Sequence, residues 1–317
     1  MISKKIKSLI GIPPEFPIFK YFKEFRSLFS VNPKQLTRDQ FYRRYRFYQS
    51  YFMKTLFSFH ETDSKTPIDI FIPTIAKDLT VLPFVVEYAR KNIKHPISNI
   101  YIVAPDEEEI RLVASNLQCV FINEKDVLGY GKEQTPYSFD SNDASGWLYQ
   151  QLLKLNCYRV CKEEHILILD SDTLVINPKK FEYKGNYFLD FADELHPPYF
   201  ETYNQLLGLK HRMPVSFVCH HMLFNKSNLQ ALQKYIETIH FKPWDKAIIE
   251  MAEQKRPHYF SEYETYANFV LEKTNDTYIF EYWFNSPLHR VKLSEIDFVI
   301  ASLKDKYKTV SFHSYIK

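Results

Sequence analysis

Residues 165–178, HILILDSDTLVINP, decide the fold. Four apolar residues, Ile166 to Leu169, run without a polar break and stop at Asp170-Ser171-Asp172. A run with no alternation is buried on both faces, which places it inside a sheet covered by helices on each side. Ligands of such sheets bind at the carboxyl ends of the strands. Two charges at the end of a buried strand are unfavourable unless something pairs them. Carboxylates one residue apart, followed by a turn, suit one hard divalent cation that also holds phosphate oxygens. The plainer alternative is that Asp170 and Asp172 only shape the turn.

Just upstream, SGWLYQQLLKLNCYR (145–159) has helical phase. Leu148, Leu152 and Leu155 form its core stripe, and Trp147, Gln151 and Lys154 form the next one. This predicts a helix that packs by one edge and offers the other to a ligand, the indole to a base and the ammonium to phosphate or sugar. Further out, strands are expected at 68–73, 99–104, 120–122, 186–191 and 216–224, and helices at 82–92, 229–240 and 262–273. Strand and helix alternate, so the fold class is α/β with a mainly parallel, Rossmann-like sheet flanked by helices. Only 6 of 317 residues are glycine, and neither a dinucleotide fingerprint nor a GxxxxGK[ST] loop is present. Any nucleotide is held without a glycine loop.

With 45% hydrophobic and 25% charged residues the chain is globular rather than disordered. Its net charge of +3 hides two unlike parts. Residues 1–60 carry twelve Lys and Arg against three acids, a net of +9, and the remainder is net −6. The expected organisation is therefore a basic, aromatic helical arm over 1–60 and a catalytic body over 61–317. In the arm, Ile18, Phe22, Phe25 and Phe29, then Phe41, Tyr45, Tyr48 and Phe52, recur at helical spacing, with Arg43, Arg44 and Arg46 among the second set. Such stripes suit an anionic membrane surface, and equally suit packing on the body. No nucleic-acid module accompanies the charge, so nucleic acid is not an expected partner. The four cysteines lack metal or redox spacing, no stretch is long enough to span a bilayer, and no secretory leader is recognisable. The expected location is the cytoplasm, peripheral to the inner membrane.

The strand ending in Asp170-Ser171-Asp172, the helix before it and the opening IDIFIPTIAKD resemble the nucleotide-sugar glycosyltransferases of GT-A fold. More narrowly, SGWLYQQLLKL, HHMLFNK and SEYETYANF together resemble a bacterial group that builds capsule and other surface polysaccharides, over about residues 67–290. The resemblance implies Mn²⁺ or Mg²⁺ on Asp170 and Asp172, with His313 in VSFHSYIK completing the shell. It implies a nucleotide-sugar donor, a UDP-sugar foremost, lying against Pro73, Thr74 and Lys77. The acceptor it implies is a glycan or lipid-linked glycan.

Transfer with inversion needs a carboxylate to take the acceptor's proton. Glu262 is the expected base, because Ser261 and Glu264 have capping-box spacing that would engage Glu264 with backbone N–H groups; Glu264 is the second candidate. His220 and His221 must face opposite ways on a strand, and His221 is the expected ligand contact. A haloacid-dehalogenase-like phosphatase is a rival reading of the same aspartates. However, Thr173 falls one position too early, and no downstream acidic pair stands out beyond Asp190 and Asp193. A non-catalytic transferase-like binding scaffold is the third reading.

Overall fold

The computed structural model describes residues 59–139, 142–192, 195–211, 215–253 and 259–313. Apart from Phe59 and His60, the basic arm lies outside the described residues. In chain order the elements are β1 (Ile68–Pro73), α1 (Leu82–Asn92), β2 (Ile97–Ala104), α2 (Glu108–Asn116), β3 (Val120–Asn123), α3 (Glu124–Leu128), β4 (Ser138–Phe139), β5 (Asn142–Asp143) and α4 (Ser145–Leu155). There follow β6 (His165–Leu169), β7 (Thr173–Val175), β8 (Glu182–Tyr183), β9 (Asn186–Phe191), α5 (Pro197–Leu207), β10 (His221–Asn225), α6 (Lys226–His240) and α7 (Trp244–Glu253). The last are α8 (Glu262–Lys273), β11 (Thr277–Tyr282), β12 (Asn285–His289), α9 (Ile296–Leu303) and β13 (Thr309–His313).

The central sheet has the order β10-β6-β1-β2-β3. β6, β1, β2 and β3 are parallel, and β10 runs antiparallel on the edge. The uninterrupted apolar run of β6 is explained by its place in this sheet. Ile166 and Ile168 enter one core with Leu148, Leu152 and Tyr266, while Leu167 and Leu169 enter the other with Leu82, Val85 and Phe312. The fold is thus a mixed α/β one with a mainly parallel sheet between helical layers, as the alternating pattern requires. The strand expected at 186–191 belongs to a second, three-stranded sheet, β11-β9-β8. The strand expected over 216–224 is shorter, because His220 adopts a left-handed φ of 57° that stops extended pairing ahead of His221.

A third sheet, β12-β13-β7, carries the carboxyl-terminal residues to the end of β6. β13 lies antiparallel to β7 with Ser311 opposite Thr173, so the Phe312 N–H donates to the Asp172 carbonyl at 2.8 Å. That register brings His313 beside Asp172. At the other end of the chain, His60, assigned to the arm by charge, is buried in the body. Its Nε2 lies 2.9 Å from Glu281 and its Nδ1 accepts from the Lys180 N–H at 3.1 Å.

Candidate active site

Three elements meet at the turn after β6. β10 runs beside β6 with His221 opposite Leu169, so His220 falls next to Asp170 and its Nδ1 lies 2.9 Å from Oδ2. From α4, Lys154 reaches the other carboxylate oxygen with Nζ 2.7 Å from Oδ1. From α8, the Tyr263 hydroxyl donates to the same oxygen at 3.1 Å. Burial opposes the charge on Asp170, but the Lys154 ammonium and then His220 outweigh it and hold the carboxyl well below its usual range. Asp172 is in a different state. Its Oδ2 lies 3.1 Å from His313 Nδ1, and among the described residues no lysine or arginine pairs with it. The ring centroids of His220 and His313 stand 5.3 Å apart, so the two imidazoles that meet the aspartates neighbour each other.

Several expected ligand residues sit elsewhere. Lys154 is only 4% exposed and joins Asp170 to Glu262, its Nζ lying 2.8 Å from Glu262 Oε1. Gln151 is buried as well, its Oε1 accepting from the Glu262 N–H at 3.1 Å. Both point across α4 into the protein, and the glutamine on the open face is Gln150. Glu262, the expected base, is itself buried and bound to this lysine. Glu264 forms only half of the capping box. Ser261 Oγ accepts from the Glu264 N–H at 3.3 Å, but the Glu264 carboxylate turns inward to accept from the Phe217 N–H at 2.9 Å. Burial, only partly offset by that bond, pushes the Glu264 carboxyl up to about 7.

His221 does face away from His220, and it is the one that enters the core. Its Nε2 lies 2.8 Å from Asp190, within a buried group in which Lys179 bridges Asp190 and Glu281, and Lys308 also reaches Glu281. This group ties β9, β11 and β13 together. It buries His221, which is 3% exposed and lines a small cavity with Lys179, Asp190 and Lys308, its Nδ1 without a hydrogen-bond partner, and it leaves Asp190 paired rather than free for a metal; Asp193 lies outside the described residues. No hydrophobic period could reveal the group, because its members are scattered from His60 to Lys308.

Beside the aspartates a cleft of about 350 Å³ opens over the carboxyl ends of β1 and β2. Pro73, Thr74 and Lys77 line one side and Trp147 and Gln150 the other, with Glu124 and Lys132 at its edge. Thr74 lines the cleft and is 4% exposed, and its Oγ1, itself buried, has no hydrogen-bond partner. The cleft connects to the turn through Asp78, whose Oδ2 accepts from Ser171 Oγ at 2.8 Å. Arg290 clamps this joint, donating to the Asp78 carboxylate, the Lys77 carbonyl and the Phe312 carbonyl. Asp78 and Arg290 were not singled out from the sequence. They stand 212 residues apart, and nothing local announces their pairing.

The donor chemistry at the turn fits a divalent cation. Asp172 offers an unneutralised carboxylate and His313 an imidazole. Among the described residues no three His, Cys, Asp or Glu side chains form a closed cluster. One or two protein ligands with the other positions left to phosphate oxygens is how a cation that travels with a diphosphate is held.

A mainly parallel α/β sheet with a cleft and an Asp-Ser-Asp turn at its strand ends defines an α/β protein whose candidate site lies where such sheets bind their ligands. Residues 85–291 match the family of unknown function DUF6492, and the chain belongs to that family. No curated protein matches it in sequence. Among solved structures it is similar to the galactosyltransferase LgtC in complex with donor and acceptor sugar analogues, at 13% identity over 78% of this chain and 88% of that one, with a TM-score of 0.42. It is also similar to mouse xyloside xylosyltransferase 1, at 14% identity over 78% and 98% of the two chains and a TM-score of 0.43. A third is the glycosyltransferase GlyE of Streptococcus pneumoniae, at 13% identity over 80% and 56%, with a TM-score of 0.38.

Proposed function

We propose that this protein is a metal-dependent glycosyltransferase that moves a sugar from a nucleotide-sugar, foremost a UDP-sugar, to a growing bacterial surface glycan. The observation that carries the reading is the junction of the cleft with the turn. Thr74, with its unpartnered hydroxyl, and Trp147 line a nucleoside-sized space, and the Asp78–Ser171 hydrogen bond joins that space to the turn of Asp172, which among the described residues has no lysine or arginine partner. Trp147 offers a face to the base, Thr74 a donor or acceptor to its polar groups, and Lys77 and Lys132 positive charge to the diphosphate. Asp172 and His313 would hold Mn²⁺ or Mg²⁺, which when bound supplies charge to offset the departing nucleoside diphosphate. Arg290, through Asp78 and Ser171, keeps the cleft wall and the aspartate turn in fixed relation. Glu262 and Glu264 are both buried, Glu262 against Lys154 and Glu264 against the Phe217 N–H.

A phosphatase of the two-aspartate type needs one aspartate free to attack phosphorus. Asp170 is covered by Lys154, His220 and Tyr263, which disfavours that reading. The acceptor would be lipid-linked, met at the cytoplasmic face of the inner membrane, with the basic arm on anionic lipid. Among the described residues no helix is long and apolar enough to cross a membrane.

The test is a set of nucleotide-sugars offered with and without Mn²⁺, reading thermal stabilisation and release of free nucleotide. One donor should raise Tm and be slowly hydrolysed only with the metal. Hydrolysis of p-nitrophenyl phosphate without stabilisation by any nucleotide-sugar would establish the phosphatase instead.

A further inference from the structure

Asp170 and Asp172 share a turn, yet their surroundings are opposite. Asp170 Oδ1 lies 2.7 Å from the Lys154 ammonium and takes a hydrogen bond from Tyr263 at 3.1 Å. Its Oδ2 lies 2.9 Å from His220. Both oxygens are therefore engaged, and the side chain is 16% exposed. Lys154 cannot be drawn away cheaply, because it also lies 2.8 Å from the buried Glu262 and 4.6 Å from the Tyr263 ring centroid. Withdrawing a buried ammonium would strand two carboxylates in the interior. Asp172, 21% exposed, has among the described residues only His313 and the neighbouring Thr173 hydroxyl against its carboxylate oxygens.

We infer that Lys154 is a resident cation of this site, which excludes a divalent ion from Asp170 and leaves Asp172 and His313 as the protein's only ligands to it. Asp170 is then a positioning residue. It receives its charge balance from α4 and uses its second oxygen to orient His220 beside His313. This goes beyond the resemblance, which implies both aspartates as ligands, and it rests on the proposed donor site for its diphosphate partner. Two protein ligands hold a divalent ion weakly, so occupancy should depend on the nucleoside diphosphate.

The experiment is Mn²⁺ binding followed by electron paramagnetic resonance on the full chain, with and without UDP, which reads the ion directly rather than through turnover. In the wild type, UDP should tighten Mn²⁺ at least tenfold. Asp172→Asn should lose at least tenfold in affinity for Mn²⁺, whereas Asp170→Asn, which keeps the Lys154–Glu262 pair, should stay within threefold of wild type. If Asp170→Asn does not fold, the double variant Lys154→Met with Glu262→Gln decides the matter. It leaves Asp170 without its ammonium, and Mn²⁺ should bind about tenfold more tightly than in the wild type. Equal losses in the two single variants, no gain in the double variant, or no Mn²⁺ bound by a wild type that still hydrolyses a nucleotide-sugar, would each overturn the inference while leaving the donor site standing. Failure of every nucleotide-sugar to bind would instead remove the proposed function.

Discussion

Replacing Glu264 by glutamine tests the most consequential difference between the sequence and the structure. As a capping-box partner, Glu264 would stabilise α8 at every pH, and its loss would lower stability by about 0.5–2 kcal/mol. The structure puts it 1% exposed, with a backbone N–H and the Asn268 amide on its carboxylate. Among the described residues it has no Lys or Arg partner. Its carboxyl is raised by burial from 4.5 to about 7. A carboxyl raised on folding binds its proton more tightly in the folded state, so stability falls as pH climbs from 4.5 through 7. At about 1.4 kcal/mol per pH unit, the ionised group at pH 8 costs about 3 kcal/mol. A glutamine in its place would keep an oxygen for the Phe217 N–H and carry no charge. The variant should therefore match the wild type near pH 4.5 and exceed it increasingly toward pH 8, by roughly 6–12 °C in Tm for a domain of this size. Thermal unfolding of both proteins across that range is the assay, and groups common to both cancel in the difference. Parallel curves with the variant uniformly lower would restore the capping role and refute the buried, unpaired carboxyl.

Asp172→Asn and EDTA should each nearly abolish donor turnover while leaving Tm of the free protein unchanged; full activity of the variant in EDTA would remove the cation from the site. Thr74→Val should weaken nucleotide-sugar binding about 3–10-fold, the value of one hydrogen bond, with no loss of unliganded stability because the removed hydroxyl has no partner. Gln150→Ala should weaken donor binding and Gln151→Ala should chiefly lower stability; calorimetric titration beside a thermal melt separates the two, and the opposite pattern would restore the expected helix face. Removing residues 1–58, which spares the buried His60, should abolish co-sedimentation with anionic vesicles at low salt and leave donor hydrolysis intact, each basic residue near such a surface contributing on the order of 1 kcal/mol. An insoluble truncation, or a full chain that ignores the vesicles, would mean that the aromatic stripes pack on the body.

The fold was readable wherever burial is two-sided and continuous. β1 and β6 are apolar apart from Asp69 and His165 because both faces meet a core, and the helices over 82–92 and 262–273 follow from their period and flanking residues. The sequence was less informative where one backbone angle matters. The left-handed φ of His220 shortens β10, and a non-glycine residue gives no sign that it takes that conformation. The small sheets around β9 and β13 were also obscure, since pairings between strands distant in the chain, such as β9 with β11 and β7 with β13, leave no local period.

The site was legible to the level of the turn but not of its wiring, and the helix over 145–155 shows why. Its leucine stripe fixes which face is core, yet the residues flanking that stripe on either side are equally compatible with a ligand. Trp147 and Gln150 took the open side. Gln151 and Lys154, one step around, took the closed one. Which side opens depends on what α8 brings to the seam, and α8 brings Glu262 and Tyr263, whose acidic and hydroxyl groups draw Lys154 inward. An ammonium expected to meet phosphate is thereby spent on two carboxylates of its own chain. The residue that looked most like a base is the one that holds the lysine there, so the burial of Lys154 and that of Glu262 have one cause: the charges that set both lie between two helices, and neither helix read alone reveals them.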